Sequence, residues 1–469
     1  MAWRSFSGAA LAVLAFGAYA SDEPYSSTYQ AHPGPPTVIR NATVLDGTGR
    51  RLDGSDVLIR DGKIVAVGPG LDADDATVVD AKGRWVTPGL IDVHSHLGVY
   101  ASPGVNASQD GNEATDPVTA GVWAEHSVWP QDPGFATALA GGVTTLQVLP
   151  GSANLIGGRG VTLRNVPATT YQAMKFPGAP QGLKMACGEN PKRVYGSRKA
   201  APSTRMGNVA GYRQAFADAQ DYQRQQEKYA RDLAAYESKQ SKDKDKDKDK
   251  DAERPEPPKR DLRLETLVAA MKGEVPVHIH CYRADEMVTM LDLAREFNFR
   301  IAAFHHGVEA YKIADRLAQE GVCGALWSDW WGFKMEAYDG IWENLAFVDA
   351  PANGCAIVHS DDADGIQRLN QDAAKGMSRG QRAGLDIPPE RAIRWITSNP
   401  AKALGIADRV GTLEPGKMAD VVVWNGNPFS VYALPDLVYI DGAVAVDRKA
   451  PPKPPASDFL LGQPTGGAR

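Results

Sequence analysis

The chain has 469 residues and is 43% hydrophobic, enough apolar material for one large core with smaller units attached. Its formal net charge of −6 argues against nucleic acid as a partner. The chain is also too large to be a small disulfide-stapled scaffold. Its four cysteines lie far apart within apolar runs, so we expect buried thiols rather than disulfide bonds. They are Cys187, Cys281, Cys323 and Cys355.

Residues 1–20 have the pattern of a secretory signal peptide. Arg4 provides a positive charge, residues 9–16 form a short apolar run, and Ala-Tyr-Ala at 18–20 fits a cleavage site. The apolar run is too short to span a bilayer with any margin. We therefore expect cleavage after Ala20 and secretion without a membrane anchor, into the periplasm if the host is Gram-negative. An uncleaved N-terminal anchor is the alternative.

Both ends of the mature chain predict β-structure. Residues 36–86 contain short alternating runs separated by turn dipeptides such as Asp46-Gly47 and Asp61-Gly62. Such a unit is too thin to be stable alone. Residues 408–448 carry further strand-like runs, so we expect the two ends to pair into one composite β-sandwich domain.

Residues 87–407 alternate apolar runs with helical stretches, which indicates a parallel α/β architecture. We predict a (β/α)8 TIM-type barrel flanked by the small β-sandwich. Polar and ionisable residues follow several of the runs, at the end where such barrels build their active sites. The candidate strands are 91–94, 143–149, 182–187, 277–280, 300–304, 324–327 and 356–359.

A charged insertion, residues 212–260, interrupts the barrel pattern. Its first part is loosely helical, and it continues into a Lys-Asp repeat at 242–251. The repeat has no apolar residue with which to offset ordering entropy, so we expect a solvated, disordered and dispensable loop. Because its alternating charges nearly cancel, the repeat does not predict an anionic partner.

The first candidate metal ligands are His94 and His96. Side chains at i and i+2 of a strand share one face, so both imidazoles lie at the end of the first barrel strand. Two imidazoles this close make half of a site for a first-row metal. Taken alone, the pair could also be two ordinary surface histidines, but further candidate ligands follow at the ends of later strands.

The next candidate ligand is either a carboxylate or a lysine. Glu189 directly follows the run 182–187, where its carboxylate could bridge two metal ions. Lys184 lies inside the same run and is the alternative, since a carbamylated lysine can bridge metals as well. We favour Glu189 as the ligand. Its other interpretation is a cap of the following turn.

Three more strand ends provide the remaining candidate ligands. Of His278 and His280, we choose His280 because it is nearer the strand end, and we expect His278 one layer deeper. Adjacent strand residues point to opposite sides, so only one of His305 and His306 can face the metal, and we choose His306. Asp361 closes the last strand. A lone Asp there would usually be structural, but here it is the sixth member of an ordered series.

The order His-x-His, acid, His, His, Asp resembles the amidohydrolase superfamily over essentially the whole mature chain. The resemblance includes Pro-Gly-Leu-Ile-Asp at 88–92, Ala-Gly-Gly-Val-Thr-Thr at 140–145 and Gly-Lys-Met-Ala-Asp at 416–420. It is strongest to the secreted, imidazolonepropionase-like branch. It implies a metal-dependent barrel hydrolase and supports His280 and His306, which align with the family's fifth- and sixth-strand ligands. Many relatives bridge their metals with a carboxylated lysine, so the choice of Glu189 departs from the family.

These residues suggest the chemistry. One or two divalent ions, most simply Zn²⁺, would lower the pKa of a bound water and polarise a carbonyl. Asp361 would act as general base and then acid. The expected reaction is cleavage of a C–N bond in a small-molecule amide, peptide-like or cyclic amide substrate. The alternatives are a deaminase with a single metal ion and an inactive, metal-retaining exported protein that recruits a partner through the insertion.

Specificity is expected to come from loops at the barrel mouth. Trp330 and Trp331 follow the seventh candidate strand and suit a flat or apolar substrate group, although core packing would explain them equally well. Tyr282 has the same two interpretations. Lys334 or Arg283 could hold a substrate carboxylate. Homo-oligomerisation is compatible with the sequence, which does not determine the oligomeric state.

Overall fold

A computed structural model of the chain describes residues 25–242, 253–330 and 332–450. The predicted signal peptide and almost all of the Lys-Asp repeat lie outside these ranges. Among the described residues, no helix combines the length and the apolar character needed to cross a membrane.

The strands form two eight-stranded sheets, one built from the chain ends and one from the middle of the chain. The chain enters through β1 (Thr37–Leu45), β2 (Arg51–Arg60), β3 (Lys63–Gly68), β4 (Thr77–Asp80) and β5 (Trp85–Pro88). The middle sheet contains β6 (Leu90–Ser95), β7 (Val143–Val148), β8 (Ile156–Arg164), β9 (Gly182–Ala186), β10 (Val277–His280), β11 (Ile301–His305), β12 (Cys323–Leu326) and β13 (Ala356–Val358). The chain returns through β14 (Val421–Trp424), β15 (Pro435–Ile440) and β16 (Ala443–Asp447).

The α-helices lie mainly between and after the strands of the middle sheet. They are α1 (Pro133–Ala140), α2 (Tyr171–Met174), α3 (Glu189–Gly196), α4 (Arg205–Lys242), α5 (Leu262–Met271), α6 (Ala284–Phe297), α7 (Ala314–Glu320), α8 (Asn344–Asp349), α9 (Leu369–Arg382), α10 (Pro389–Ala392) and α11 (Ser398–Ala403).

The middle sheet is the predicted barrel, with its strands paired in chain order from β6 to β13. After β13, the N–H of Asp361 donates to the carbonyl of His94 at 2.9 Å, so the residues that follow the last strand lie against the first strand. The barrel is therefore nearly closed. Its strands carry the polar residues to one end, where the candidate site lies.

Strand β8 departs from the predicted pattern because it runs antiparallel to both of its neighbours. This strand was not predicted, because Gly157, Gly158 and Gly160 near its start are typical of a turn. Packing explains one of these glycines. Gly158 has a φ of +115°, and a Cβ there would lie 2.3 Å from the carbonyl oxygen of Val122.

The sheet of the chain ends is one continuous structure that contains strands from both ends of the chain. Strand β5 joins β1 to β14, which links the N-terminal strands to the C-terminal ones. An apolar cluster that includes Val44, Ile59, Val421 and Val423 contains residues from both ends, so neither end could bury it alone.

A buried ion cluster joins this sheet to the barrel. Arg164, the last residue of β8, is fully buried and bonds both carboxylate oxygens of Asp420, one of them at 2.7 Å. The same guanidinium lies 3.2 Å from Asp441. Asp420 is the aspartate of the Gly-Lys-Met-Ala-Asp motif, so this motif supplies the counter-charge for a barrel residue.

The charged insertion begins as part of the barrel's outer packing. Helix α4 starts at Arg205, and Tyr212, Phe216 and Tyr222 on it are buried. The ring of Phe216 stacks on Phe299 at a centroid distance of 4.7 Å. No residue from 223 to 241 is buried, so the helix beyond Tyr222 is solvated.

The expectation of four free thiols is wrong, because the cysteines form two disulfide bonds. Cys187 pairs with Cys281, and Cys323 pairs with Cys355. Cys187 and Cys281 are 94 positions apart in the sequence, and Cys323 and Cys355 are 32 apart. Parallel pairing of the adjacent strands nevertheless brings the two members of each pair together, so distance along the sequence did not exclude a bond.

Candidate metal centre

Imidazoles, a carboxylate and a lysine converge at the carboxyl ends of the barrel strands. Side chains of His94, His96, His306 and Asp361 lie around one point, and those of Lys184, His280 and His359 surround them. Active sites of this barrel type are built at the same end.

Three of these atoms have the spacing of metal ligands. Nε2 of His94 lies 3.3 Å from Nε2 of His96, and Oδ1 of Asp361 lies 3.2 Å and 3.1 Å from the same two nitrogens. A tetrahedral ion with bonds of about 2.0–2.1 Å separates its ligands by about 3.3–3.4 Å. The triangle therefore fits a zinc-sized ion.

Hydrogen bonds orient the two histidines of the first strand. Nδ1 of His96 donates to the carbonyl of Leu149 at 2.8 Å, which leaves Nε2 as an acceptor. Nδ1 of His94 lies 2.9 Å from Nδ1 of His305, and Nε2 of His305 lies 2.9 Å from Nδ1 of His278. If Nε2 of His94 holds an ion, its Nδ1–H donates to His305, and His305 donates in turn to His278.

Both histidines of the 305–306 pair point into the barrel, contrary to the expectation that only one would. His306 has a φ of +60°, which breaks the strand's alternation immediately after β11. His306 faces the cluster as predicted, with Nε2 3.9 Å from Oδ2 of Asp361, and its ring stacks on Trp327 at 4.4 Å. His305 lies one layer deeper, beside His278.

His280 borders the cluster on another side. Its ring centroid lies 4.9 Å from that of His306, and its Nε2 lies 3.3 Å from Nδ2 of Asn190. Nδ1 of His280 is buried without a hydrogen-bond partner among the described residues. His278 makes its contact with His305 one layer below, as the sequence analysis expected.

The preference for Glu189 over Lys184 does not agree with this geometry. Nζ of Lys184 lies 3.2 Å from Nε2 of His94, and the lysine is fully buried. The carboxylate of Glu189 lies 3.2 Å from Nζ of Lys334. Glu189 begins α3, with its N–H donating to Glu336. It is thus a helix-start residue at the mouth, as its alternative interpretation allowed, and it is not among the clustered donors.

Burial sets the protonation states of the cluster. Desolvation lowers the pKa values of His94, His280 and His306 well below the ordinary histidine value, so these imidazoles are neutral with lone pairs available. Burial also lowers the pKa of Lys184 to about 7, although the charge of Asp361 acts in the opposite direction. A substantial fraction of Lys184 is therefore a neutral amine near neutral pH.

The loop after β12 brings aromatic and cationic groups to the mouth. Tyr282 and Trp327 are buried, whereas Trp330 is 45% exposed. Nζ of Lys334 lies 4.2 Å from the ring centroid of Tyr282. Arg283 instead pairs with Asp285 on its own helix at 2.9 Å. Trp331 lies outside the described residues.

The sequence analysis assigned no role to His359. It is fully buried, its ring lies 4.6 Å from that of His306, and its donor atoms lie within 4.8 Å of those of His94 and His306. The pattern His-x-Asp at 359–361 mirrors His-x-His at 94–96, and this could have pointed to it.

The donors present fit a divalent ion. The group combines neutral imidazoles and a carboxylate, the ligand types that zinc prefers. Unpaired nitrogens at His280, His306 and His359 are also explained by a bound ion.

Fold and site together define a barrel protein with a candidate metal centre at the carboxyl ends of its strands. Comparison with known proteins gives the family. The family model described as "Amidohydrolase family" matches residues 353–448. The crystal structure of an amidohydrolase from Thermotoga maritima MSB8 is 35% identical, with a TM-score of 0.74, and the match covers 88% of this chain and all of that one. The chain belongs to the amidohydrolase family.

Curated relatives agree with this assignment. Amidohydrolase tasK of Hapsidospora irregularis is 33% identical over 447 residues, which cover 88% of this chain and 43% of that protein. The dihydroorotase of Halalkalibacterium halodurans is 33% identical over 114 residues, which cover 24% of this chain and 21% of that protein. The chain thus spans less than half the length of these curated relatives.

The placement of Lys184 gives a prediction about metal content. Lys184→Ala should lose most of the bound metal in inductively coupled plasma mass spectrometry, because it removes a group in contact with His94. Glu189→Gln should retain the metal, because Glu189 contacts Lys334 instead. If Glu189→Gln lost metal and Lys184→Ala kept it, the original preference would be restored.

Proposed function

We propose that this chain is an exported, metal-dependent amidohydrolase that cleaves a C–N bond of an amide, peptide-like or cyclic amide substrate. The observation that carries the proposal is the carboxylate of Asp361 lying 3.1–3.2 Å from the Nε2 atoms of His94 and His96 at the barrel mouth. That arrangement supplies ion ligands and a proton acceptor at one point. Membership in the amidohydrolase family supports hydrolysis as the reaction type.

His94, His96, His280, His306 and Asp361 would hold one or two divalent ions, with Zn²⁺ the expected metal. When bound, the metal supplies Lewis-acid chemistry, which lowers the pKa of water and polarises a carbonyl. Burial favours the neutral amine of Lys184, and a neutral amine can form an N–C bond to carbon dioxide with loss of one proton, which would give a carboxylated ligand. This role replaces the one first given to Glu189.

Asp361 is the proposed general base and acid. Its Oδ1 contacts the imidazoles, and its side chain is 27% exposed, so it can meet both water and substrate. Asp361 would accept a proton from the attacking water and pass it to the leaving nitrogen. The hydrogen bond from its N–H to the His94 carbonyl fixes its height above the cluster.

The mouth favours a substrate with a carboxylate beside a flat or apolar group. Lys334 lies over Tyr282 and next to Asn190, whose amide in turn contacts His280. A carboxylate held by Lys334 would thus lie one side chain away from the cluster. Both candidate cations already have a carboxylate partner, Glu189 for Lys334 at 3.2 Å and Asp285 for Arg283 at 2.9 Å. We choose Lys334 because its contact with Asn190 connects it to His280.

Export is proposed from residues 1–20 and is supported by the two disulfide bonds, since such bonds persist in oxidising compartments. Mass spectrometry of protein recovered from the host should find a mature chain beginning at Ser21. A cytoplasmic chain that still begins at Met1 would contradict the proposal.

The central prediction concerns Asp361→Asn. Turnover should fall by roughly 10²-fold or more, the scale of general-base loss, while most of the metal is retained because the amide keeps the shape of the side chain. Asp362→Asn is the matched control, since Asp362 caps the next turn at Gly365 and should leave turnover nearly unchanged. Kinetics beside metal analysis separates the two roles. Full activity of Asp361→Asn would exclude the proposed base.

The substrate screen should include dipeptides, N-acyl amino acids, cyclic amides and aminated heterocycles. Release of ammonia from the heterocycles alone would select the deaminase alternative. Metal binding without turnover of any of them would select the inactive binding protein.

The role of Lys334 can be tested on a substrate pair. Lys334→Ala should raise KM about tenfold for an N-acyl amino acid, the scale of one charge-assisted hydrogen bond, with little change in kcat. The C-terminal amide of the same substrate should show no such effect, and Arg283→Ala should change neither constant. Equal effects of Lys334→Ala on acid and amide would contradict carboxylate recognition.

A further inference from the structure

His359 is a buried polar side chain that the proposed function leaves without a role. It follows β13, two residues before Asp361, and none of its surface is exposed. Its ring lies 4.6 Å from that of His306, 5.3 Å from that of His94 and 5.1 Å from that of Trp327. The ring thus lies among the imidazoles of the candidate metal centre.

Neither ring nitrogen of His359 has a hydrogen-bond partner of normal geometry among the described residues. The nearby indole does not help, because Nε1 of Trp327 donates to the carbonyl of Ser360 at 3.2 Å. A fully buried imidazole with neither nitrogen bonded is an unfavourable arrangement unless something else binds it.

The spacing also agrees with ligation. Donor atoms of His94, His306 and His359 lie within 4.8 Å of one another. Ligands of a tetrahedral ion are separated by about 3.3–3.4 Å, so two atoms 4.8 Å apart would each have to move by up to about 0.7 Å to close on an ion.

We propose that His359 is a further ligand of the metal centre and that it binds the same ion as His306. His94 has only Nε2 free for an ion, because its Nδ1 contacts His305. The donor group of His94, His96 and Asp361 can then hold one ion, and His306 with His359 forms the start of a second group. This inference rests on the proposed metal dependence.

The test is metal binding by His359→Gln, measured on protein stripped with a chelator and titrated with Zn²⁺. Loss of this ligand should weaken binding of one ion by well over 100-fold or remove it from the stoichiometry, beyond the roughly 10–100-fold typical of outer contacts. His126→Gln is the control, since it removes a histidine that lies outside the cluster and should bind Zn²⁺ like the unchanged protein.

A zinc-loaded crystal structure of the unchanged protein provides a second measurement that does not depend on how the variant folds. Anomalous difference density should place an ion about 2.0–2.2 Å from a ring nitrogen of His359. An occupied centre with His359 out of bonding distance would overturn the inference, and so would a His359→Gln variant with unchanged Zn²⁺ stoichiometry and affinity. If the unchanged protein bound no Zn²⁺, the proposed function itself would fail as well.

Discussion

The first and last strands of the barrel meet at Asp92, and the geometry of the candidate site depends on that contact. The carboxylate of Asp92 accepts the N–H of His94 at 3.0 Å and the N–H of Ser360 at 3.3 Å, and the Ser360 hydroxyl donates to it as well. One residue later, the N–H of Asp361 donates to the His94 carbonyl. Because all of these groups but Asp361 are buried, the strands cannot slide without leaving polar atoms unpaired. His94 and Asp361 are thereby held at one height.

Two residues at strand ends turn the chain inward above this contact. His306 and Asp361 have φ values of +60° and +58°, a conformation that costs about 1–3 kcal/mol for residues with side chains. At His306 the result is a second layer of imidazoles. His305 and His278 form the lower layer, and His94 reaches it through Nδ1. The upper histidines are thus oriented by hydrogen bonds from below, which suits ligands that must keep a lone pair free.

Periodicity and strand-end position were sufficient to predict the barrel, the shared sheet of the chain ends, and five of the six candidate ligands as neighbours. They failed where a side chain reaches out of its own layer. Lys184 lies about two residues, roughly 6.6 Å, below the strand end, and its long side chain spans that distance. Its Nζ reaches Nε2 of His94, whereas Glu189 starts a helix and pairs with Lys334.

Other failures have equally physical causes. Strand β8 was not predicted because its glycines are typical of a turn. At Gly158 a glycine is required, since close contact with Val122 leaves no room for a Cβ. The disulfide bonds were missed because pairing depends on which strands are neighbours, and the sequence positions of single cysteines do not reveal that. His359 is not recognisable from strand-end position alone, because Asp361 follows it two residues later at the end of the same strand.

The disulfide bond between Cys187 and Cys281 has a consequence for how this chain can vary in length. The whole of helix α4 and the charged insertion lie inside the loop of 94 positions that this bond closes. In the oxidised chain, β9 and β10 therefore remain neighbours even when everything between them is unfolded. Because the entropy of closing a loop grows only with the logarithm of its length, a longer or shorter insertion changes the search for strand pairing very little. Insertions or deletions in the segment between these two strands should therefore have little effect on folding.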